Sequence, residues 1–278
     1  MDKQTARPVH VAVNGIMGRM GQQIARLLFQ DQSFVVAGGL ERTNHPSIGL
    51  DIGTLIQGKT AGVRVTDDPG NFASSPDCVI DFSTPSSTLA LLAYAQQQKV
   101  AMVIGTTGFS AQETETIKQA AQQTAIVHSP NMSVLVNLLF KLVGLTAGVL
   151  GDGFDAEIVE LHHKNKVDAP SGTALKLADL IAGAYGKKLE DSARYERHGQ
   201  IGPRPKGQIG IQTVRGGDIV GEHTVLFIGT GERLEITHRA TSRENFAQGA
   251  LLAARWVAGK QPGMYSMADV LGLNGSIR

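Results

Sequence analysis

Residues 9–29 read VHVAVNGIMGRMGQQIARLLF, and this stretch decides the fold. Val9–Asn14 is a short apolar run rich in β-branched residues, the composition of a buried strand. Gln22–Phe29 then repeats apolar residues at helical spacing. Three glycines, Gly15, Gly18 and Gly21, lie between the two elements. Gly15 suits the tight turn, Gly18 lets backbone approach a diphosphate, and Gly21 allows close helix–strand packing. A helix starting at such a turn offers N–H groups and a positive dipole end to phosphate. Met17 stands where the middle glycine of G-x-G-x-x-G would be. Glycines at a strand–helix turn also serve purely structural ends, so the turn alone leaves dinucleotide binding open.

Further strands are expected over Phe34–Leu40, Cys78–Phe82, Val100–Ile104 and Ala125–His128. Helical stretches over Gln22–Phe29, Ser86–Gln97 and Ala111–Gln123 alternate with them. Near-continuous apolar strands separated by helices imply a parallel sheet covered on both faces, a Rossmann-type doubly wound α/β domain. Glu41 ends the second strand 20 residues beyond Gly21, the spacing at which an acid reaches ribose hydroxyls. Arg42 follows it and suits a 2′-phosphate, and Arg19 is also placed to meet phosphate. An acid followed by a base points to use of both NADH and NADPH; a surface ion pair is the bland alternative. Ser83-Thr84-Pro85 and Gly105-Thr106-Thr107-Gly108 sit at strand ends, where ligands of open α/β sheets gather.

After Asn131 the pattern changes. Met132–Leu150 reads as one long apolar helix, buried and not membrane-spanning, being interrupted by Asn137 and Lys141. Phe154–His162 reads as a strand and Ser171–Tyr185 as a helix with Ser171 at its N-cap. Gln208–Arg215, Ile219–Phe227 and Arg233–Ala240 alternate like half-buried strands joined by short glycine-containing turns. They imply a second, α+β domain with a mixed or antiparallel sheet. Arg243–Ala258 is a closing helix expected to pack on the first domain, and Tyr195–Gln208 is a long loop. The expected division is 1–131 with 241–278 for dinucleotide binding, and 132–240 for substrate binding and oligomerisation. Closure of the two is expected about hinges near Asn131 and Ala240.

The 278 residues carry a formal net charge of +1, so no broad attraction to nucleic acid or an anionic membrane is expected, and any charge-based recognition must be local. Cys78 is the sole cysteine, which excludes an intrachain disulfide, and its apolar surroundings read as core. The N-terminal MDKQTARPVH lacks the apolar segment of a secretory signal, and a cytoplasmic location is expected.

The chemistry concentrates in ELHHKNKVDAPSGT, residues 160–173, with two His, two Lys and a helix start. Lys166 and the N–H groups around Ser171–Thr173 suit two carboxylates. A histidine beside a bound imine or enamine moves protons near neutral pH. A basic surface loop is the plain alternative. Metal binding is disfavoured, since neighbouring His162 and His163 point to opposite faces of a strand. A hydrolase built on Ser171, His162 and Asp168 lacks the G-x-S-x-G elbow.

Gly15–Gly21, Gly105–Phe109, His162–Leu175 (HHKNKVDAPSGTAL) and Arg215–Thr224 (RGGDIVGEHT) together resemble the 4-hydroxy-tetrahydrodipicolinate reductase family, also called dihydrodipicolinate reductases, end to end. Ile16 and Met17 fill variable positions of the family's turn, and Lys164-Asn165 fill positions it does not fix. The resemblance implies reduction of 4-hydroxy-tetrahydrodipicolinate, a cyclic dicarboxylate, by NADH or NADPH with loss of water and without a metal, in the diaminopimelate route to lysine. It implies His162 as acid/base residue and Lys166 as proton donor, with His163, Ser171, Gly172 and Thr173 on the substrate carboxylates. It implies cofactor contacts at Gly15, Ile16, Met17, Gly18, Arg19, Met20, Glu41, Arg42, Gly105, Thr106, Thr107, Ser129, Pro130, Asn131 and Met132. A homotetramer joined through the second domain's sheets is implied as well. The competing functions are another oxidoreductase of this fold, such as an amino-acid dehydrogenase, and a non-catalytic NADP sensor. The His/Lys cluster speaks against the sensor.

Overall fold

A computed structural model of the chain describes residues 7–275, so most of the N-terminal stretch read above lies outside the described residues. The chain divides into two compact units. One runs to Ser133 and resumes at Glu244, and the other is Val134–Arg243.

The first unit runs β1 (Val9–Asn14), α1 (Arg19–Gln30), β2 (Phe34–Leu40), α2 (Ile52–Gln57), β3 (Val65–Thr66), β4 (Cys78–Asp81), α3 (Pro85–Gln98), β5 (Ala101–Ile104), α4 (Ala111–Ala120) and β6 (Ala125–His128). Among the described residues, seven parallel strands form its sheet, in the order β12-β6-β5-β4-β1-β2-β3, where β12 (Gly263–Tyr265) comes from the C-terminal part of the chain. β1 lies between β2 and β4, so the strand order reverses there and a crevice opens at the carboxyl ends. Val11, Val13, Cys78, Ile80, Val103 and Val127 are buried on one face of the sheet; Ala12, Val79, Met102 and Ile126 are buried on the other. That two-sided burial explains the unbroken apolar runs. The Cys78 thiol is fully buried, and burial raises its pKa.

The second unit contains α5 (Val134–Leu150), β7 (Asp155–His162), α6 (Gly172–Ala184), α7 (Leu189–Ser192), β8 (Ala193–Arg194), β9 (Ile209–Arg215), β10 (Gly221–Ile228) and β11 (Arg233–Ala240). Its described strands form a mixed sheet in the order β11-β10-β7-β9-β8. Among the described strands of this unit, consecutive strands pair antiparallel only at β10–β11. β9 lies on the far side of β7, parallel to it, and β10 pairs antiparallel with β7. His162 and Arg215 thereby become register partners, as do Glu160 and Thr213 on one side and Glu160 and His223 on the other. No helix or strand forms within 195–208. Arg197 and Arg204 pin that loop to Glu157 at 2.8 Å and 3.0 Å.

The expectation of a buried helix over 132–150 holds for one face of α5 only. Val136, Leu139, Val143 and Ala147 enter the core, while Leu135, Leu145 and Val149 are exposed. By length and composition alone Val134–Gly153 could cross a membrane; here its inner face packs with α6 and the sheet.

The chain then re-enters the first unit as α8 (Glu244–Val257), β12 (Gly263–Tyr265) and α9 (Met267–Val270). α8 buries Ala247, Ala250, Ala253 and Ala254 in that unit's core. Its Gly249 admits the Met132 carbonyl so closely that a Cβ there would stand 1.8 Å from the oxygen.

Candidate active site

In the first unit the cofactor candidates all lie at carboxyl ends of strands. Gly15 takes a positive φ of 74°, the left-handed turn that glycine adopts freely. Its N–H and that of Ile16 both donate to the Leu40 carbonyl, at 3.0 Å and 3.1 Å, which ties the turn to the end of β2. Glu41 completes the tie, its Oε1 accepting the Met17 N–H at 2.9 Å. A Cβ on Gly21 would come within 2.1 Å of the Gly15 carbonyl oxygen, so close helix–turn packing needs glycine there. Gly18 is the N-cap of α1 and brings no side-chain cap, which leaves the helix entrance clear for an anion.

The remaining candidates differ in what they can offer. Gly18, Arg19, Arg42, Thr107 and Pro130 are exposed, and Met17, Met20, Glu41, Gly105 and Asn131 are half-buried. Ile16, Thr106, Ser129 and Met132 are buried, so a ligand meets chiefly their main chain. Thr106 instead turns its hydroxyl inward to Asp81 at 3.2 Å. Asp81 accepts further bonds from Asn14 and Ser83, and burial nevertheless raises its pKa. This knot at the ends of β1, β4 and β5 was not visible in the sequence as a site feature. It holds the loops that carry Ser83 and Thr106.

In the second unit the His/Lys candidates gather around the start of α6. Ser171 caps that helix, its Oγ accepting the Ala174 N–H at 3.2 Å. Space beside the helix start is open: a Cβ built on Gly172 meets nothing within 4 Å among the described residues. Thr173 is half-buried in the same first turn. His162 ends β7 with its side chain 11% exposed, and its Nδ1 lies 2.5 Å from Glu160 Oε2. His163, next along the chain, has a buried Nδ1 with no hydrogen-bond partner among the described residues, while its Nε2 lies 3.5 Å from Arg243. Lys166 is largely covered and pairs with Asp168 at 2.8 Å.

Three residues without an assigned role in the sequence reading belong to this cluster. Glu160 has no exposed side-chain surface and receives Arg215 in a bidentate pair, at 2.9 Å and 2.8 Å. His223 lies 3.0 Å from Ser171 Oγ through its Nε2, and its ring meets that of His162 edge-on at 5.2 Å. The signal for Glu160 was its place two residues before His162, on the same face of a strand.

The electrostatics follow from these contacts. Burial alone would lift the Glu160 carboxyl, but Arg215, His162 and the Ser171 N–H outweigh it and hold the group below its usual range. Burial lowers the His162 pKa against the opposing pull of Glu160. Burial, with the neighbouring His162, pushes His223 down to about 3. The site therefore brings together a histidine whose protonation burial disfavours, a lysine paired with Asp168 and the dipole of a helix start with open space beside it. That set suits a carboxylate ligand undergoing proton transfer. Among the described residues no cluster fit for a metal ion occurs.

The family model for the N-terminal part of dihydrodipicolinate reductase matches residues 9–132, and that for the C-terminal part matches 135–271. A 4-hydroxy-tetrahydrodipicolinate reductase from Anaeromyxobacter dehalogenans (strain 2CP-1) is 53% identical over 95% of this chain and 98% of its own length. One from Syntrophobacter fumaroxidans is 49% identical over 95% and 99%. Among solved structures, a dihydrodipicolinate reductase from Paenisporosarcina sp. TG-14 with dipicolinate bound is similar in fold, with TM-score 0.74 and 23% identity, covering 94% of this chain and 98% of that one. With both halves matched and relatives of about half identity spanning nearly its whole length, the chain belongs to the dihydrodipicolinate reductase family.

Proposed function

We propose that the chain reduces 4-hydroxy-tetrahydrodipicolinate to tetrahydrodipicolinate with NADH or NADPH, releasing water, in the diaminopimelate route to lysine. The family and its named relatives support the reaction. The observation that carries the assignment of roles is the convergence of His162, Lys166 and the start of α6 in one unit.

The first unit fits a dinucleotide: the turn leaves no room for a side chain at Gly15 or Gly21, the α1 entrance is clear, and Glu41 is held at the turn. Gly15, Gly18 and the exposed Arg19 would receive the diphosphate, Glu41 and Arg42 the adenosine ribose, and Gly105–Thr107 with Ser129–Met132 the nicotinamide end. Bound there, NADH or NADPH supplies a hydride for C4 of the ring.

The second unit handles the substrate and its protons. The dipole at Ser171, Gly172 and Thr173, together with His163, holds the two carboxylates. His162 takes and returns a proton as the 4-hydroxyl leaves as water, and Lys166 gives a proton to the ring carbon next to C4 once C4 is reduced. One NAD(P)H and one proton are consumed, and one water is released. Preorganised charge of this kind contributes a few kcal/mol to such steps.

The chain passes between units at Ser133–Val134 and Arg243–Glu244, and these are the proposed hinges. A cytoplasmic homotetramer is proposed as well. Its support is the sheet face opposite the helices, where Val159, Leu161, Leu226 and Ile228 are only half-buried and Val214 is 43% exposed.

The test couples the protein to an enzymatic source of 4-hydroxy-tetrahydrodipicolinate and follows nicotinamide absorbance with each cofactor. Oxidation of one NAD(P)H per substrate supports the reading. No oxidation by folded protein with both substrates saturating overturns it.

A further inference from the structure

We infer that the buried Glu160–Arg215 pair is a positioning device, setting His162 with its proton on Nδ1 and its Nε2 free, and holding the start of α6 and the Lys166 loop in register with it. The inference rests on the proposed roles of His162, Lys166 and the α6 entrance.

Glu160 is surrounded by hydrogen-bonding partners on both oxygens. Its Oε1 accepts from the Ser171 N–H at 3.0 Å, from Thr213 Oγ1 at 3.3 Å and from Arg215 Nη2 at 2.8 Å. Its Oε2 accepts from Arg215 Nη1 at 2.9 Å and faces His162 Nδ1 at 2.5 Å. A carboxylate ringed by donors stays ionised and can only accept, so the His162 nitrogen facing it must carry the hydrogen. Nε2 is then the nitrogen left for proton transfer. The surroundings agree, because Gly221 offers no side chain at that edge: a Cβ there would stand 3.0 Å from Nε2.

Arg215 extends the same network. Besides clamping Glu160, its Nη2 donates to the Asp168 carbonyl at 2.7 Å. Asp168 is the residue whose carboxylate pairs with Lys166. One ion pair thus touches three segments, each carrying a residue of the proposed chemistry: β7 with His162, the α6 cap with Ser171, and the loop with Lys166.

A purely structural purpose explains this poorly. A buried ion pair contributes little net stability compared with apolar residues of the same shape, because desolvation offsets the attraction. The two residues that precede Glu160 on its face of β7, Ala156 and Ile158, are buried and apolar, so an apolar residue at 160 would continue that run up to His162. What the pair adds is orientation, fixing a tautomer and two loop ends.

The test has two arms. The first leaves Glu160 intact: 15N-histidine NMR of the wild-type enzyme, with the His162 signals assigned by their loss in His162→Gln. The expected spectrum has Nδ1 protonated and Nε2 bare; the opposite tautomer overturns the inference. The second arm is Glu160→Gln, which keeps the shape but gives one acceptor oxygen in place of two. Turnover is expected to fall on the order of 100-fold, within the range acid–base catalysis supplies. The acid limb of the pH–rate profile should move to lower pH, since the neighbouring anion that favours imidazolium is gone, while cofactor affinity stays unchanged. Wild-type turnover with an unmoved pH profile overturns the inference. If Glu160→Gln does not fold, the wild-type spectrum decides alone. Full turnover by His162→Gln would instead sink the underlying site assignment, which separates the two failures.

Discussion

Glu41, at the end of β2, is hydrogen-bonded through Oε1 to the Met17 N–H at 2.9 Å, in the glycine turn 24 residues earlier in the chain. Its other oxygen accepts from the Arg42 N–H at 3.3 Å. The carboxylate is thus fixed at the glycine turn, with lone pairs left over for the ribose diol that the proposed function places there.

This relationship separates the two cofactors. Glu41→Ala should weaken NADH by about 10- to 100-fold, since hydrogen bonds to a charged group contribute roughly 1.5–3 kcal/mol. NADPH, which lacks the free 2′-hydroxyl, should lose less. Arg42→Ala should weaken NADPH selectively. Titration calorimetry with both cofactors checks this; equal losses for the two would contradict it.

The glycines give a second contrast. Gly21→Ala must displace either α1 or the turn, because the new Cβ would lie 2.1 Å from the Gly15 carbonyl oxygen. A destabilisation of about 1–3 kcal/mol is expected, together with loss of cofactor affinity. Gly172→Ala has open space and should leave stability nearly unchanged. Urea unfolding of both variants measures the difference, and similar midpoints would refute the packing argument.

Removing the side chains proposed to handle protons should affect turnover and leave cofactor binding alone, because these groups belong to the second unit. His162→Gln and Lys166→Ala are each expected to lower kcat by about 100-fold or more. Cofactor affinity measured by fluorescence should match the wild type. Loss of affinity in either variant would mean that the residue serves the cofactor.

Stability should fall on acidification. His223 is buried, faces Ser171, His162, Glu160 and His238, and remains neutral down to about 3. In the unfolded chain a histidine takes up a proton near 6.5. Below that pH the unfolded state binds more protons, so stability drops as pH falls from about 6.5 towards 3, by up to about 5 kcal/mol from this residue. The lowered pKa of His162 acts in the same direction. His223→Gln should flatten the acid limb in melts run across this range. An unchanged slope would show that His223 does not carry it.

The doubly wound sheet could be read from sequence because burial on both faces makes strands such as Cys78–Asp81 continuously apolar. β3 and β12, of two and three residues, are too short to show a pattern. The turn signals around 216–220 suggest a hairpin, yet β9 crosses to the other side of β7. Local signals do not encode which strand lies beside which. α5 looks buried because it is apolar almost all round, but only one face finds a partner within its unit. His162, Lys166 and Ser171 stand in one dense motif. Glu160 gains meaning only when Arg215, 55 residues later, is brought beside it by sheet register.

The most direct measurement is a crystal structure of the protein with reduced nicotinamide cofactor and pyridine-2,6-dicarboxylate, a flat analogue of the substrate. One diacid is expected with its carboxylates at Gly172, Thr173 and His163 and with His162 and Lys166 at its ring. A diacid seated away from the α6 entrance, with His162 and Lys166 remote from it, would contradict the account.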